Sequence, residues 1–510
     1  MRLMNIGVAI TAYPWAIKDV CVIYEWVIRQ AHIIDGSAQP SYRADLAITA
    51  GKIAAIGNLS GVQAQREIVA SNWVLAPGFI DVHTHDDLQV IRNPDMLPKV
   101  SQGVTTVIVG NCGISASPVV LQGELPDPMN LLGAVEDFSY ADLASYARAV
   151  NEIQPAVNVA ALVGHTALRN NHMDRLDRAA TAYEIAQMRA QLHLALEQGA
   201  LGLSTGLAYA SAIESTTEEV QALAEVLREQ GGVYTTHLRT EFDGILDAME
   251  EAFAIGHSVN APVIISHLKC AGAGNWGRSK EVLGALETAA RKHWVGSDCY
   301  PYSASSSTLD LQQVTRDFDI VITWSEPHPE QGGKTLAAIA DEWQTSLMDA
   351  ARRLQPAGAV YHGMNEQDVQ AILAHPLTMV GSDGLPVDPL PHPRLWGAFP
   401  RVLGHYSRDL QLFSLTEAVY KMTRLSADRF GLDNRGRIEV GAAADLVLFD
   451  PLNVRDTATF AAPQQLAEGI EAVWVNGILT YCNKAMTGQR AGKFLHRQRD
   501  LRKGFFLFNE

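Results

Sequence analysis

The stretch PGFIDVHTHDD, residues 77–87, joins a short apolar run to a His-x-His pair. Seven more short apolar runs follow along the chain: TTVIVGNC (105–112), NVAALVGH (158–165), LGLSTG (201–206), VYTTHL (233–238), PVIISHL (262–268), VGSDCYPY (295–302) and TMVGSDG (378–384). Amphipathic stretches separate many of these runs, which is the pattern of parallel strands joined by helical crossovers. Eight such units predict an α/β protein built on a closed (β/α)8 barrel of the TIM type.

The segments between the runs predict several helices. Four amphipathic stretches stand out: DLASYARAV (142–150), AYEIAQMRAQLHLALEQG (182–199), TEEVQALAEVLREQG (217–231) and SKEVLGALETAARKH (279–293). The second and third end on glycine, a residue that commonly stops a helix.

Both ends of the chain are typical of short strands and turns. Ala50-Gly51 lies between two apolar runs near the start, and Asn476-Gly477, a strong hairpin signal, lies near the end. The two ends together predict one small β-sandwich domain. The predicted division is an N-terminal extension (1–23), a first part of the β domain (24–76), the barrel (77–431) and a second part of the β domain (432–510).

The spacing of predicted strand ends indicates one long insertion. His237 to His267 spans 30 residues and His267 to Tyr300 spans 33, one β/α unit each, whereas Tyr300 to Asp383 spans 83. About 50 residues therefore exceed one unit. Segment 303–365 is predicted to form an insertion before strand eight, either as a lid over the site or as a structural excursion without a gating role.

The composition argues against several classes of protein. Forty Lys and Arg against fifty-six Asp and Glu give a net charge of −16, which disfavours nucleic acid or an anionic membrane surface as partner. The N-terminal residues make a poor secretory signal, and no run of 18 apolar residues occurs. Five scattered cysteines favour a reducing compartment. We expect a cytoplasmic protein with a small-molecule substrate; the oligomeric state stays open.

Residues of metal-ligand type end the predicted strands. In such barrels the reacting groups lie at the carboxyl ends of the strands. His83 and His85 are two residues apart, so both imidazoles point to the same side of strand one and can bind one ion. The other strand ends carry Cys112, His165, His237, His267, Tyr300 and Asp383. This concentration predicts a metal site at the barrel mouth.

Cys112 and Asp383 have chemistry beyond ordinary packing. Cys112 lies between small residues, and one thiolate sulfur can contact two cations. Asp383 can ligate a metal, and it can also take a proton from a metal-bound water and deliver it to a leaving amine. Cys299, Cys270 and Cys482 are assigned to structural roles.

These motifs together resemble the amidohydrolase superfamily of metal-dependent barrels. The likeness is carried by PGFIDVHTHDD, the histidines that close strands five and six, the aspartate that closes strand eight, and the ending GRIEVGAAADLVLFDP. Most members have a carboxylated lysine on strand four, yet LGLSTGL (201–207) has no lysine. Cys112, with GNCGIS, GLSTGLAY, SHLK, DCYPY and HPRLWGAFPR, resembles the branch in which a cysteine replaces that lysine, the N-acyl-D-amino-acid deacylase (D-aminoacylase) family.

The resemblance implies two metal positions that share a ligand. The ligands of a tightly held Zn²⁺ would be Cys112, His237 and His267. A weaker second position would be bordered by His83, His85, Cys112 and Asp383.

The resemblance also implies zinc-dependent hydrolysis of N-acyl-D-amino acids to a carboxylate and a free D-amino acid. Metal-bound hydroxide would attack the acyl carbonyl, with Asp383 as general base and then general acid. The residues that would hold the α-carboxylate of the substrate are Lys269, Tyr300 and Arg394. As the group that stabilises the oxyanion, His165 and Tyr209 stay open alternatives.

The preferred substrate side chain follows from one short segment. Family members selective for acidic D-amino acids are expected to carry an arginine just after the YPY motif, where residues 311–313 are Leu-Gln-Gln. Neutral or apolar side chains are therefore favoured, with Tyr361 and Met364 as pocket walls. A three-residue slip in this matching would bring in Arg316 and restore a preference for N-acyl-D-glutamate or N-acyl-D-aspartate.

Two other functions compete with this interpretation. A cyclic-amide hydrolase of the hydantoinase or dihydroorotase kind would use the same barrel, but the missing strand-four lysine and the presence of Cys112 count against it. A non-catalytic barrel scaffold would usually have lost metal ligands, and here every expected position is filled.

Overall fold

The computed structural model describes residues 23–121 and 123–498. Nearly all of the predicted extension, residues 1–22, lies outside these ranges, and so do residues 499–510 of the predicted second β part. The described ranges comprise a parallel barrel, a mixed β domain and a small antiparallel insertion.

Eight parallel strands form the barrel in chain order: Phe79–Asp81, Val104–Val109, Asn158–Ala161 continued by Val163–Gly164, Gly202–Gly206, Val233–His237, Val263–Ile265, Val295–Cys299 and Thr378–Val380. The third strand is split at Leu162, where pairing passes from the second strand to the fourth. A parallel bridge between Thr84 and Gly384 closes the ring. The predicted barrel is confirmed.

Helices connect successive strands, and the four predicted ones are present. The helices are Gln89–Arg92, Leu97–Val100, Leu143–Ile153, His165–His172, Ala182–Glu197, Thr217–Gln230, Ile245–Val259, Ser279–Ala290, Glu366–Ala374, Arg394–Arg401 with a π-helical continuation Val402–Asp409, Leu415–Met422 and Arg424–Phe430. Helix Thr217–Gln230 shows why they form where they do. The Thr216 hydroxyl caps its start, an apolar stripe is buried, and Gly231 with φ 71° ends it.

The β domain contains strands from both chain ends in one nine-stranded sheet. Its strands are Ile23–Ile33, Tyr42–Thr49, Lys52–Gly57, Gln63–Val69, Val74–Pro77, Leu446–Phe449, Ile470–Val475, Ile478–Cys482 and Ala485–Met486. The predicted turns Ala50-Gly51 and Asn476-Gly477 both have positive φ at each residue, as tight hairpins require. Lys52 bridges to Ala443, so the sheet curls over its own apolar core, which includes Trp474. This is the predicted β-sandwich domain.

The chain between the seventh and eighth barrel strands forms a compact insertion. Strands Ser305–Thr308, Ile320–Ser325 and Ala357–Tyr361 make an antiparallel sheet that packs with helices Leu336–Glu342 and Leu347–Leu354 around a separate apolar core.

Short 3-10 turns occupy Met129–Leu131, Val135–Asp137, Ala273–Asn275, Leu311–Gln313 and Pro329–Gln331. Within the described residues, every helix falls short of the length and apolarity needed to span a bilayer.

Candidate metal centre and substrate cavity

The polar residues at the strand ends converge on one cluster at the barrel mouth. Two groups have side-chain donor atoms within 4.8 Å of one another: His83, His85, Cys112 and Asp383, and Cys112, His237 and His267. The sulfur of Cys112 lies 3.2 Å from His83 Nε2 and 3.3 Å from His267 Nε2. Cys112 therefore stands between two sets of donors, and the structure brings together all six predicted metal and acid/base residues.

The charges in this cluster favour a bound cation. Burial raises the pKa of the Cys112 thiol, but the neighbouring His83 and His267 lower it well below its usual range. Burial likewise lowers the pKa of His85, while Asp383 and Cys112 raise it to about 9. A thiolate and a carboxylate thus concentrate negative charge among imidazoles, and a divalent ion would neutralise that charge in place of the protons.

The backbone at three of these residues is strained. Cys112, His267 and Asp383 have φ of 55°, 37° and 50°, in the left-handed region that side chains other than glycine seldom adopt. The Cys112 loop also packs closely on strand four, because a Cβ on Gly206 would come within 2.2 Å of the Cys112 carbonyl oxygen. Backbone strain concentrated at several residues of one site is typical of functional geometry.

Asp298 and Glu241 support the cluster, and neither was predicted from the sequence. Asp298 Oδ1 lies 3.2 Å from His83 Nδ1, and the same oxygen accepts a hydrogen bond from the His267 backbone amide at 2.9 Å. Glu241 lies 2.9 Å from His267 Nδ1 and pairs with Lys269. Carboxylates that orient imidazole rings in this way are common around metal sites. The four-residue interval from His237 to Glu241 was the available sequence signal.

Arg394 links Asp383, the predicted acid/base residue, to a buried aromatic ring. Its Nη1 lies 2.9 Å from Asp383 Oδ2, and its guanidinium stacks 4.5 Å from the centre of the Tyr300 ring. Burial raises the pKa of Asp383, but Arg394 and His83 lower it well below its usual range, so the group is a carboxylate. Arg394 Nη2 donates to the Ser306 carbonyl, and Arg394 Nε is buried without a hydrogen-bond acceptor.

A cavity of about 680 Å³ lies over the cluster, within the size range of small-molecule sites. The predicted site residues that line it are His85, His237, His267, Lys269, Tyr361 and Asp383. The predicted residues that are buried beside these groups are His83, Cys112, Tyr300, Met364 and Arg394. Residues 305–313 of the insertion form part of its wall. The Tyr361 hydroxyl is engaged by the Asp310 amide and the Thr308 carbonyl, so Tyr361 presents its ring to the cavity.

Two residues considered in the sequence analysis lie elsewhere. His165 begins a helix instead of ending strand three, and its Nε2 lies 3.0 Å from Glu219, so its side chain is engaged away from the cluster. Arg316 is exposed and pairs with Asp341 at 3.3 Å. Tyr209 does line the cavity, with its ring 4.8 Å from that of His237.

The donor set fits a zinc ion. Thiolate, imidazole and carboxylate are the ligands that zinc takes in proteins. Two further ring nitrogens, His85 Nδ1 and His237 Nδ1, are buried without a hydrogen-bond partner, so these imidazoles offer more lone pairs or protons than the protein satisfies. The residues present therefore suit a resident metal.

Comparison with known proteins gives consistent matches. The Amidohydrolase family profile matches residues 66–481. The chain is 48% identical to D-aminoacylase of Alcaligenes xylosoxydans xylosoxydans over 93% of this chain and 98% of the relative. A solved structure of D-aminoacylase, described as having a binuclear metal centre with one-metal activation and second-metal attenuation, has a TM-score of 0.91 at 47% identity, covering 93% of this chain and all of the other.

A second solved structure adds a ligand. N-acyl-D-glutamate deacylase from Bordetella bronchiseptica, complexed with zinc and a phosphonate inhibitor that mimics the tetrahedral intermediate, has a TM-score of 0.90 at 45% identity. The match covers 93% of this chain and 100% of that protein.

Proposed function

We propose, from the premise that the chain belongs to the amidohydrolase family, that it hydrolyses N-acyl-D-amino acids to a carboxylate and a free D-amino acid. The observation that carries the proposal is the placement of Asp383. Its carboxylate faces the cavity between the histidines that surround Cys112 and the guanidinium of Arg394. An acid/base group, a metal-ligand set and an anion-binding cation thus meet at one point.

The metal in this proposal is zinc. Cys112, His237 and His267 would hold it tightly, and His83 and His85, with Cys112 and Asp383, would border a weaker second position. When bound, zinc polarises an acyl carbonyl and lowers the pKa of water to about 7.

Asp383 moves the proton. Arg394 engages its Oδ2, while its Oδ1 lies 3.2 Å from His85 Nε2 and 3.4 Å from His83 Nε2. The lowered pKa keeps the carboxylate ready to accept a proton from water. The Asp383 carboxyl group then returns the proton to the amine as the amide C–N bond breaks.

The α-carboxylate of the substrate would be held by Lys269, Tyr300 and Arg394. The unpartnered Nε of Arg394 supports this role, because a guanidinium N–H donates a strong, charge-assisted hydrogen bond to a carboxylate. Lys269 lines the cavity with its Nζ 5.9 Å from the Tyr300 ring centre. For the oxyanion, Tyr209 is the better placed of the two alternatives, because it lines the cavity beside His237 whereas His165 Nε2 is engaged by Glu219.

The first experiment is release of free amine from N-acetyl-D-methionine and N-acetyl-L-methionine by the zinc-loaded protein. We expect hydrolysis of the D form alone. The paired enantiomers share every chemical group, so the comparison isolates stereochemistry from binding of the acyl and side-chain groups. Hydrolysis of neither, or of both at equal rates, would contradict the proposed function.

We expect N-acetyl-D-glutamate to be hydrolysed with a lower kcat/KM than N-acetyl-D-methionine. The wall of the cavity carries Gln312, Gln313 and Asp310, and the carboxylate of Asp310 opposes a second anion. Arg316 lies outside this wall, so Arg316→Ala is expected to leave the ratio of the two kcat/KM values unchanged. Selective loss of the glutamate activity in that variant would show that the preference is acidic.

The predicted domain boundaries also stand as part of this proposal. Strand Val74–Pro77 belongs to the β domain and strand Phe79–Asp81 to the barrel, which supports a boundary within one residue of the predicted 76/77. Helix Arg424–Phe430 ends at Gly431, which supports a boundary at 431/432. The insertion, proposed as residues 303–365, would act as a wall of the cavity.

A cytoplasmic location is proposed on the state of the cysteines. The four that the structure describes, Cys112, Cys270, Cys299 and Cys482, are all free. Free thiols persist where glutathione and thioredoxin keep cysteines reduced.

A further inference from the structure

The seam between the first and eighth barrel strands has little backbone pairing. Within the described residues the two strands share one isolated bridge, Thr84 to Gly384, and a hydrogen bond from the Asp383 amide to the His83 carbonyl at 2.8 Å. The second and third strands, by contrast, are paired over four successive residues. Asp383 lies in this weakly paired seam with a strained φ of 50°.

A buried lysine occupies the space beside the seam. Lys99, in helix Leu97–Val100, is fully buried, and its Nζ lies 2.8 Å from Asp81 Oδ2 and 3.1 Å from Asp86 Oδ2. Its third contact is a hydrogen bond donated to the Ser382 hydroxyl at 2.8 Å. Burial lowers the pKa of Lys99, but Asp81 and Asp86 raise it above its ordinary value, so the ammonium keeps its charge.

These contacts reach both neighbours of Asp383. The other oxygen of Asp81 accepts hydrogen bonds from the Ser382 amide at 2.8 Å and the His83 amide at 3.4 Å. The Ser382 hydroxyl accepts a hydrogen bond from the Gly384 amide at 3.2 Å. Side chains therefore supply cross-strand bonds at Ser382, immediately before the strained residue, and the Ser382 hydroxyl also holds the Gly384 amide immediately after it.

We propose that Lys99, through Asp81 and Ser382, is a positioning residue that fixes Asp383 against the His83–His85 strand. The proposal rests on the proposed function, in which Asp383 moves the proton. A buried lysine among carboxylates has a large desolvation cost, and an apolar side chain of similar volume would avoid it. Here the charge of Lys99 holds Asp383 in position.

The test variant is Ser382→Ala, because it removes the link to Lys99 without leaving a buried charge unpaired. Its matched control is Ser426→Ala, a fully buried serine that donates to the Lys421 carbonyl outside the site. We expect Ser382→Ala to lower kcat for N-acetyl-D-methionine by about 10- to 100-fold, the range typical of residues that orient a metal site. KM, zinc content and Tm should match those of the control. A kcat within twofold of wild type, or a loss shared by Ser426→Ala, would overturn the proposal.

A spectroscopic readout keeps the proposal separate from the proposed function. The visible spectrum of the cobalt-loaded protein reports the ligand arrangement whether or not the right substrate has been chosen. We expect Ser382→Ala and Lys99→Met, but not Ser426→Ala, to change that spectrum. If wild type fails to hydrolyse N-acetyl-D-methionine, the proposed function fails while a selective spectral change still supports the positioning role. An unchanged spectrum in Ser382→Ala would overturn that role.

Discussion

Replacing Asp383 with asparagine is expected to lower kcat for N-acetyl-D-methionine by about 10²- to 10⁴-fold, the contribution typical of a general acid/base group. The amide keeps the shape of the side chain but can neither accept the proton from water nor return it to the leaving amine. KM should change less than kcat, because Lys269, Tyr300 and Arg394, the residues proposed to hold the carboxylate of the substrate, are unchanged. The measurement is steady-state kinetics with zinc content determined on the same sample.

Loss of charge at Asp383 also leaves Arg394 without its partner, so the control must reproduce that defect. Asp445 is a buried carboxylate that pairs with the buried Arg435 in the β domain. Asp445→Asn is therefore expected to lower Tm to a similar extent while kcat stays near the wild-type value. Retention of kcat within tenfold in Asp383→Asn, or an equal loss in Asp445→Asn, would remove Asp383 from the proton-transfer role.

The residues proposed as metal ligands could be found in sequence because each ends an apolar run. The carboxyl ends of all barrel strands meet at the mouth of the barrel, so a histidine or aspartate that ends a strand lies at the mouth. His83 and His85 follow from the two-residue period of a strand, and His237, His267 and Asp383 from their positions at the ends of strands five, six and eight. The same logic found the insertion, since 83 residues between Tyr300 and Asp383 exceed one β/α unit.

The residues that support the cluster could not be found in this way. Asp298 reaches His83 across 215 residues of sequence, and Lys99 reaches Ser382 across 283. Such contacts depend on how strands one, seven and eight pack in three dimensions, and neither hydrophobic period nor local spacing encodes them. Only Glu241, four residues after His237, carried a local signal.

The misplacement of His165 has a physical cause as well. The run NVAALVGH has the apolar character of one strand to its end, but strand pairing stops at Gly164 and the helix begins at the next residue. Its side chain then turns to Glu219, whose pKa falls to about 2 beside His165 and Arg169 despite the opposing effect of burial. The positive φ values at Cys112, His267 and Asp383 could not be predicted either, because few non-glycine residues adopt that region and no local pattern marks these three.

Replacing Cys112 with alanine is expected to cause a large loss of metal affinity. Cys112 is the one residue common to both donor groups, so Cys112→Ala would weaken both metal positions at once. Residues that merely orient ligands alter metal affinity by about 10- to 100-fold, and loss of a shared ligand should exceed the upper value. We expect zinc affinity, measured by competition with a chelator, and kcat/KM to fall together.

Cys299→Ala is the matched control, because Cys299 is an equally buried thiol on strand seven. Burial and the neighbouring Asp298 raise the pKa of Cys299 above its usual value, so it is a neutral thiol and not a ligand. Its removal should cost a little stability and leave zinc affinity unchanged. If Cys112→Ala bound zinc as tightly as Cys299→Ala does, the thiolate would not be a ligand. The cation would then have to be held by the imidazoles and Asp383 alone, and the close packing of Gly206 on the Cys112 loop would serve only the fold.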